Sequence, residues 1–330
     1  MTNLPTYKVY ILTANKKYDV SNAITALQLS EPKGQLAQSA TVKIVNVQHH
    51  GTYLTSLFDV NDRVAVFSTY EGITEEVFRG FVWDKDYTSS DKKELSLVCY
   101  DNLIHMIKSQ ICEYFTAGKT TESICTSLFN NWGVKLKFDY KNITHPKLPL
   151  DGSFADALIE DVLEDTKKQT GAKYVIRSVQ DTVYIKTAGS NKKIYKIVAK
   201  QNSGYVTYKK TMEDVVTKVI ITGSKDDNDK TPIEATVSGN TSEYGTKQKI
   251  IRKDKDTSIS ECKKEAQEIL DENGAPKETI FIDNAVDIPF VHKGDVVEVT
   301  AGNIVGKTCL VLDVSHDGVD KIMDLELEFF

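Results

Sequence analysis

The feature that most constrains this chain is that it carries one strand pattern twice. Near the N-terminus stand Val60-Asn-Asp-Arg-Val-Ala-Val66, Phe78-Arg-Gly-Phe-Val-Trp-Asp84 and Leu95-Ser-Leu-Val-Cys-Tyr100. At the C-terminus stand Lys293-Gly-Asp-Val-Val-Glu-Val299, Cys309-Leu-Val-Leu-Asp313 and Leu325-Glu-Leu-Glu-Phe-Phe330. Each set has an Asp-containing tight turn before an alternating strand, then a strand ending in Asp. A polar loop follows, then a last strand with Leu-x-Leu and a terminal aromatic. Asp tolerates left-handed backbone and caps its own turn, and Leu-x-Leu puts two apolar side chains on one face of a strand. The comparison pairs Asp62 with Asp295, Asp84 with Asp313 and Tyr100 with Phe330. Any two β-barrels share some turn–strand grammar; three elements matching in order favour duplication.

The surrounding sequence fits this reading. Tyr7–Leu12, Ala23–Leu29, Ala40–Val47, Arg63–Phe67, Val77–Trp83 and Glu94–Tyr100 are strand-like, with turns at barrel or sandwich spacing. The middle changes period. Apolar stripes at helical spacing run over 101–110 and 120–131, and Ser153 opens a helix whose apolar side is Phe154, Ala157, Leu158, Val162 and Leu163, stopped by Gly171. Val134–Phe138, Lys173–Arg177 and Val183–Lys186 read as strands between them. Tyr205–Tyr208 and Val215–Thr222 return to β, followed by a polar loop over 225–230. Ser258-Ile-Ser-Glu261 is a capping box opening a helix with Cys262, Ala266, Ile269 and Leu270 inward, ended by Asn273-Gly274. The expectation is an α+β, mainly β chain. It has a first antiparallel barrel over 1–104, an α+β insert over 105–203, a second barrel from 204–225 and 279–330, and a helix-bearing insertion over 226–278.

Composition excludes several classes. The 330 residues are 40% hydrophobic and 27% charged, and no apolar run approaches the roughly 20 residues of a membrane-spanning helix. The N-terminus shows no secretory signal. The five cysteines are scattered without a Cys-x-x-Cys pair, which argues for reduced, mostly buried thiols and against a zinc ribbon. Residues 1–100 carry 10 basic and 11 acidic side chains, 101–200 carry 15 and 11, and 201–330 carry 16 and 25. No segment supplies the concentrated basic footprint of a nucleic-acid reader.

Chemistry is searched for and not found. His49-His50 are adjacent, so on a strand they point to opposite faces and cannot readily share a metal. His105, His145, His292 and His316 have no metal-ligand spacing. Asp84 and Asp313 invite comparison with a glycosidase acid pair, but their equivalence in the duplication makes them turn-capping residues. Trp83 and the 15 tyrosines read as core or interface rather than as a sugar-stacking surface. The expected catalytic, cofactor and metal residues are therefore none, and no enzyme activity is expected.

Two similar barrels with an α+β insert resemble the baseplate hub proteins of contractile phage tails, of the XkdQ/YqbQ type. The closing strands of both barrels carry the resemblance, together with Tyr244-Gly-Thr-Lys-Gln-Lys-Ile250 and the helix Ser258–Asn273 feeding Lys293–Val299. It spans nearly the whole chain, through weak motifs in a persuasive order. The resemblance implies tube-protein-like barrels, a virion or tail-like-particle location, and a homotrimer whose six barrels form a pseudo-sixfold ring. That ring would meet the tail tube or tube-initiator protein on one side and the central spike on the other, beside other baseplate or LysM-type tail proteins. It implies no cofactor, no specific nucleic-acid binding and no membrane insertion. The acidic residues of 292–330, eight against three basic, are expected to help line a channel that repels passing DNA. The competing reading is a tail-associated cell-wall glycan-binding or hydrolytic protein.

Overall fold

The structure is a computed structural model and describes residues 4–88, 93–224, 230–253 and 257–330; most of the expected polar loop, 225–229, lies outside them. The chain divides into two compact units, residues 1–207 with 280–330, and residues 208–279.

The first lobe of the larger unit is built from β1 (Thr6–Leu12), β2 (Lys17–Asp19), β3 (Ile24–Glu31), β4 (Ser39–Val45), a hairpin of β5 (Gln48–His49) and β6 (Thr52–Tyr53), then β7 (Arg63–Tyr70), β8 (Ile73–Thr88) and β9 (Glu94–Tyr100). Apart from the hairpin these strands lie in the order β3-β4-β9-β8-β7-β1-β2. Period-two alternation sets the register. Ala40, Val42 and Ile44 stand opposite Cys99, Leu97 and Leu95, all fully buried. A one-residue slip would turn both rows to solvent, and each buried aliphatic side chain contributes about 1.5–3 kcal/mol against leaving it exposed.

The middle segment contains α1 (Leu103–Ile107), β10 (Gln110–Phe115), α2 (Thr121–Asn130), β11 (Lys135–Asp139), β12 (Leu148–Ser153), α3 (Phe154–Asp156), a π-helical stretch (Ala157–Leu163), α4 (Glu164–Thr170), β13 (Tyr174–Val179) and β14 (Thr182–Thr187). Thr120 and Ser123 form a reciprocal capping box on α2. Gly171 ends α4 at φ +69°, the left-handed cap that favours glycine. The five side chains expected to face inward from 154–163 are all buried, and Phe154 meets Phe129 and Trp132 edge-to-face at 5.6 and 4.9 Å between ring centroids. Next come β15 (Tyr195–Val198) and β16 (Tyr205–Thr211).

The smaller unit holds β17 (Lys218–Thr222), β18 (Ile233–Ser238), α5 (Thr241–Tyr244), β19 (Gln248–Arg252) and α6 (Ile259–Asn273). Its sheet has the order β18-β17-β19, and Cys262, Ala266 and Leu270 of α6 pack over Val219, Ile221 and Ile251. The Ser258–Glu261 capping box forms as expected. The strand Val215–Thr222, expected in the second barrel, belongs here. Val219, Ile220 and Ile221 are buried in succession, the mark of a central strand covered on both faces rather than of an alternating barrel strand.

The chain closes with β20 (Lys277–Val286), β21 (Val296–Ala301), β22 (Ile304–Asp317) and β23 (Ile322–Phe329). The second lobe has the order β16-β20-β23-β22, with β21 on β22 and β15 on β21. β15, expected within the insert over 105–203, therefore serves the second lobe, running parallel to β21.

The two lobes repeat each other down to single hydrogen bonds. In the first, Asp59 N donates to Asp62 Oδ2 (2.8 Å), Asn61 N to Val82 O (2.7 Å) and Val82 N to Asp62 O (2.8 Å). In the second, His292 N donates to Asp295 Oδ2 (3.0 Å), Gly294 N to Val311 O (2.8 Å) and Val311 N to Asp295 O (2.8 Å). The third turn residue is left-handed in both, Asn61 at φ +68° and Gly294 at φ +84°. A β-bulge lies between Val82 and Asp84, and another between Val311 and Asp313. Asp84 and Asp313 thus stand at bulges within strands rather than in turns of their own, although Asp313 Oδ2 accepts from Lys33 N (3.0 Å) in the turn after β3. Asp84 faces Val98 and Asp313 faces Glu326, so Tyr100 corresponds to Glu328 rather than to Phe330. Leu-x-Leu recurs along one strand face, and so its sequence match slips by two residues without penalty.

Candidate functional site

The lobes join where β22 pairs antiparallel with β3, Val314 opposite Glu31 and Asp317 opposite Gln28. Two buried polar networks cross this seam. In one, His292 Nδ1 lies 2.6 Å from Glu31 Oε1, both side chains under one-tenth exposed. Gln38 Nε2 reaches the same oxygen at 3.5 Å and Val77 O at 3.2 Å. Burial would raise the Glu31 carboxyl, but His292, Arg177 and Lys293 outweigh it and hold it down at about 2. Burial and the neighbouring Arg177 lower His292. Asp101 accepts from Gln38 N (3.0 Å) and Leu103 N (2.9 Å), and burial pushes its carboxyl up to about 7. The Lys293 ammonium donates to the carbonyls of Pro32 and Gln35.

In the second network Tyr7 Oη donates to Asp287 Oδ2 (2.5 Å), while His316 Nδ1 lies 2.7 Å from Asp287 Oδ1 and Nε2 lies 3.1 Å from Val291 O. Both neighbours of the ring accept, so both ring nitrogens must donate, which requires the imidazolium form. Burial lowers the His316 pKa, yet the Asp287 hydrogen bond and charge raise it overall. Burial with Asp287 raises the Tyr7 hydroxyl, keeping it protonated as a donor.

A cavity of about 960 Å³ borders the seam. Trp83 and Asp84 reach it from one bulge and Leu310–Leu312 from the other, with Tyr174 and Ile159 from the middle segment. The duplicated bulges thus share one wall. This arrangement positions and rigidifies the two lobes at the seam.

The other sequence candidates fall elsewhere. His49 ends β5, but His50 turns left-handed at φ +49°, so the two rings meet edge-to-face at 4.4 Å instead of pointing to opposite faces. No group of three metal-ligating side chains occurs among the described residues. His105 packs edge-on against Phe81 and Trp83. His145 is buried with Nε2 3.0 Å from Thr121 Oγ1, and with Nδ1 3.2 Å from Asp165 Oδ2 but not aligned for a hydrogen bond. This hydroxyl–imidazole–carboxylate order resembles an acyl-transfer triad, but Thr121 is fully buried and also bonds Thr166 at 2.9 Å, so no substrate reaches it. Spacing hid this cluster, because residues 121, 145 and 165 meet only through tertiary packing. Four of the five thiols are buried, Cys112 alone being exposed, and all five are free. Within 292–330, Glu298, Glu326 and Glu328 pair with Lys196, Lys33 and Lys173, which offsets part of the acidic excess counted from sequence. No helix among the described residues is long and apolar enough to cross a membrane.

A family model described as YQBQ-like matches residues 29–328. The chain is 23% identical over 279 residues to the phage-like element PBSX protein XkdQ of Bacillus subtilis (strain 168), covering 82% of this chain and 80% of XkdQ. Its fold is similar to the 43 kDa tail protein of prophage MuSo2 from Shewanella oneidensis, at TM-score 0.69 and 12% identity over 98% of both chains. It is also similar to a chain of the half-lidded Francisella PdpA–VgrG complex, at TM-score 0.62 and 10% identity, covering 100% of this chain and 58% of that one.

Proposed function

The chain belongs to the YQBQ-like family, and on that premise we propose that it is a structural hub protein of a phage tail baseplate or phage-tail-like particle. Three copies form a ring in which six β-lobes alternate, adapting a sixfold tail tube to a threefold central spike. The observation that carries this reading is the duplication. A ring of three chains imitates sixfold symmetry only when each chain presents the same module twice, and the turns at Asp59–Asp62 and His292–Asp295 share their hydrogen bonds. The phage-element name of XkdQ and the tail-protein fold neighbour support the setting. The buried networks suit a load-bearing part, since fully satisfied polar contacts fix one arrangement of packed bodies. Sedimentation of the full chain, alone and with its tube and spike proteins, tests this. A trimer, or trimerisation on adding the spike, is expected; a monomer under all conditions would overturn it.

A further inference from the structure

The duplication leaves equivalent strand edges in different states. In β22, Val314, Ser315 and His316 pair with β23 on one side and with β3 on the other. Since Asp84 corresponds to Asp313, the equivalent stretch of β8 is Lys85–Tyr87. It pairs with β9 on one side, while β7 covers the other side of β8 only from Ile73 to Phe81. Among the described residues no strand takes the remaining edge. Exposure records the difference: His316 is 2% exposed and its counterpart Tyr87 is 48% exposed.

The strand that fills the slot on β22 is β3, the first in the order β3-β4-β9-β8-β7-β1. Its counterpart in the second lobe is β16, which ends the sheet beside β20 and exposes Tyr205 (73%) and Tyr208 (47%). Among the described residues, one chain therefore carries an unfilled slot in its first lobe and, in its second, an edge strand of the kind that fills that slot. We propose that β16 of one copy adds to the Lys85–Tyr87 edge of β8 in the next, repeating between chains the β3–β22 seam made within each. A free strand edge is a template for such pairing. Slot and strand lie in different lobes, so the contact is head-to-tail and closes a ring when the rotation permits. The ring size of three rests on the function proposed above; the strand pairing does not.

Cysteine cross-linking tests it, because paired strands bring Cα atoms to about 4.5–5.5 Å, within disulfide reach. In a Cys112→Ser background, Tyr87→Cys is combined in turn with Val206→Cys, Thr207→Cys and Tyr208→Cys, each variant first checked for wild-type melting. Oxidation is expected to link chains at one of these registers, in a ladder ending at three, while either cysteine alone links none. A sample that sediments as a trimer yet cross-links at no register would overturn the strand addition and leave the trimeric hub standing. A ladder running past three would support the pairing and refute the threefold ring. A strictly monomeric protein would overturn both.

Discussion

Replacing Gly294 by alanine perturbs the point where the duplicated turn of the second lobe meets the middle segment. Gly294 sits at φ +84°, and an added Cβ would lie 2.6 Å from both Cβ and Cγ2 of Val175. A non-glycine residue in left-handed backbone costs about 1–2 kcal/mol. Forcing a methyl group into a packed contact costs about 1–3 kcal/mol more, for a total of about 2–5 kcal/mol. The first lobe supplies an internal control, because Asn61 takes the same conformation at an exposed position. Asn61→Ala there forfeits only the tolerance of asparagine for that geometry, about 1 kcal/mol. Urea unfolding of Gly294→Ala, Val175→Gly and the double variant separates the two costs, because only glycine at 175 removes the Cβ as well as the Cγ atoms. Removing the Val175 side chain should recover the packing part and leave the backbone part, a favourable coupling of about 1–3 kcal/mol. A Gly294→Ala protein within 0.5 kcal/mol of wild type, or one whose loss is the same with and without Val175, would refute the reasoning.

Three further outcomes follow from the seam and the buried histidines. His316 binds its proton more tightly folded than unfolded, so the Asp287–His316 contribution is whole below about pH 6.5 and is lost as pH rises through the raised value. His316→Gln should therefore flatten the alkaline fall of stability in urea titrations from about pH 6 to 9, and an unchanged slope would contradict the assignment. Glu31→Ala leaves His292 and the Gln38 amide without this acceptor and takes from Lys293 one of its three nearby carboxylates, with Asp101 and Asp313 remaining. By the usual cost of breaking a buried pair it should lose about 3–5 kcal/mol, with amide exchange rising first along Gln28–Glu31; a loss below about 1 kcal/mol would count against the network. Thr121→Val removes the hydroxyl shared by His145, Thr166 and Ile143 N. It should cost about 1–3 kcal/mol in thermal melts while leaving oligomeric state unchanged, and a change of assembly would show that this cluster serves more than packing.

Much of the fold was legible because it rests on period and punctuation. The Ser258–Glu261 capping box, the Gly171 stop, the inward stripe of 154–163 and the closing strands announce themselves locally. The placement of Lys218–Thr222 was not, since three consecutive apolar residues fit a barrel strand and the central strand of a small mixed sheet alike, and only its partners decide. β15 was missed because Tyr195–Val198 is only four residues long with a lysine inside it, and its pairing with β21 alone marks it as a strand. The two-residue slip of Tyr100 arose because Leu-x-Leu is its own repeat, whereas the bulge that fixes the register leaves no signature in composition. The seam networks were invisible at sequence level. Glu31, Asp101, Arg177 and His292 are charged residues far apart in the chain, and nothing local distinguishes them from solvated side chains until burial brings them together.

The central claim is that the two lobes are one module used twice around a ring. Cryo-electron microscopy of the assembled hub tests it most directly. The predicted map is a threefold ring of three chains whose six β-lobes superimpose at successive steps of about one-sixth of a turn. A ring in which only one lobe of each chain enters the plane, or one built from six copies of the chain, would contradict it.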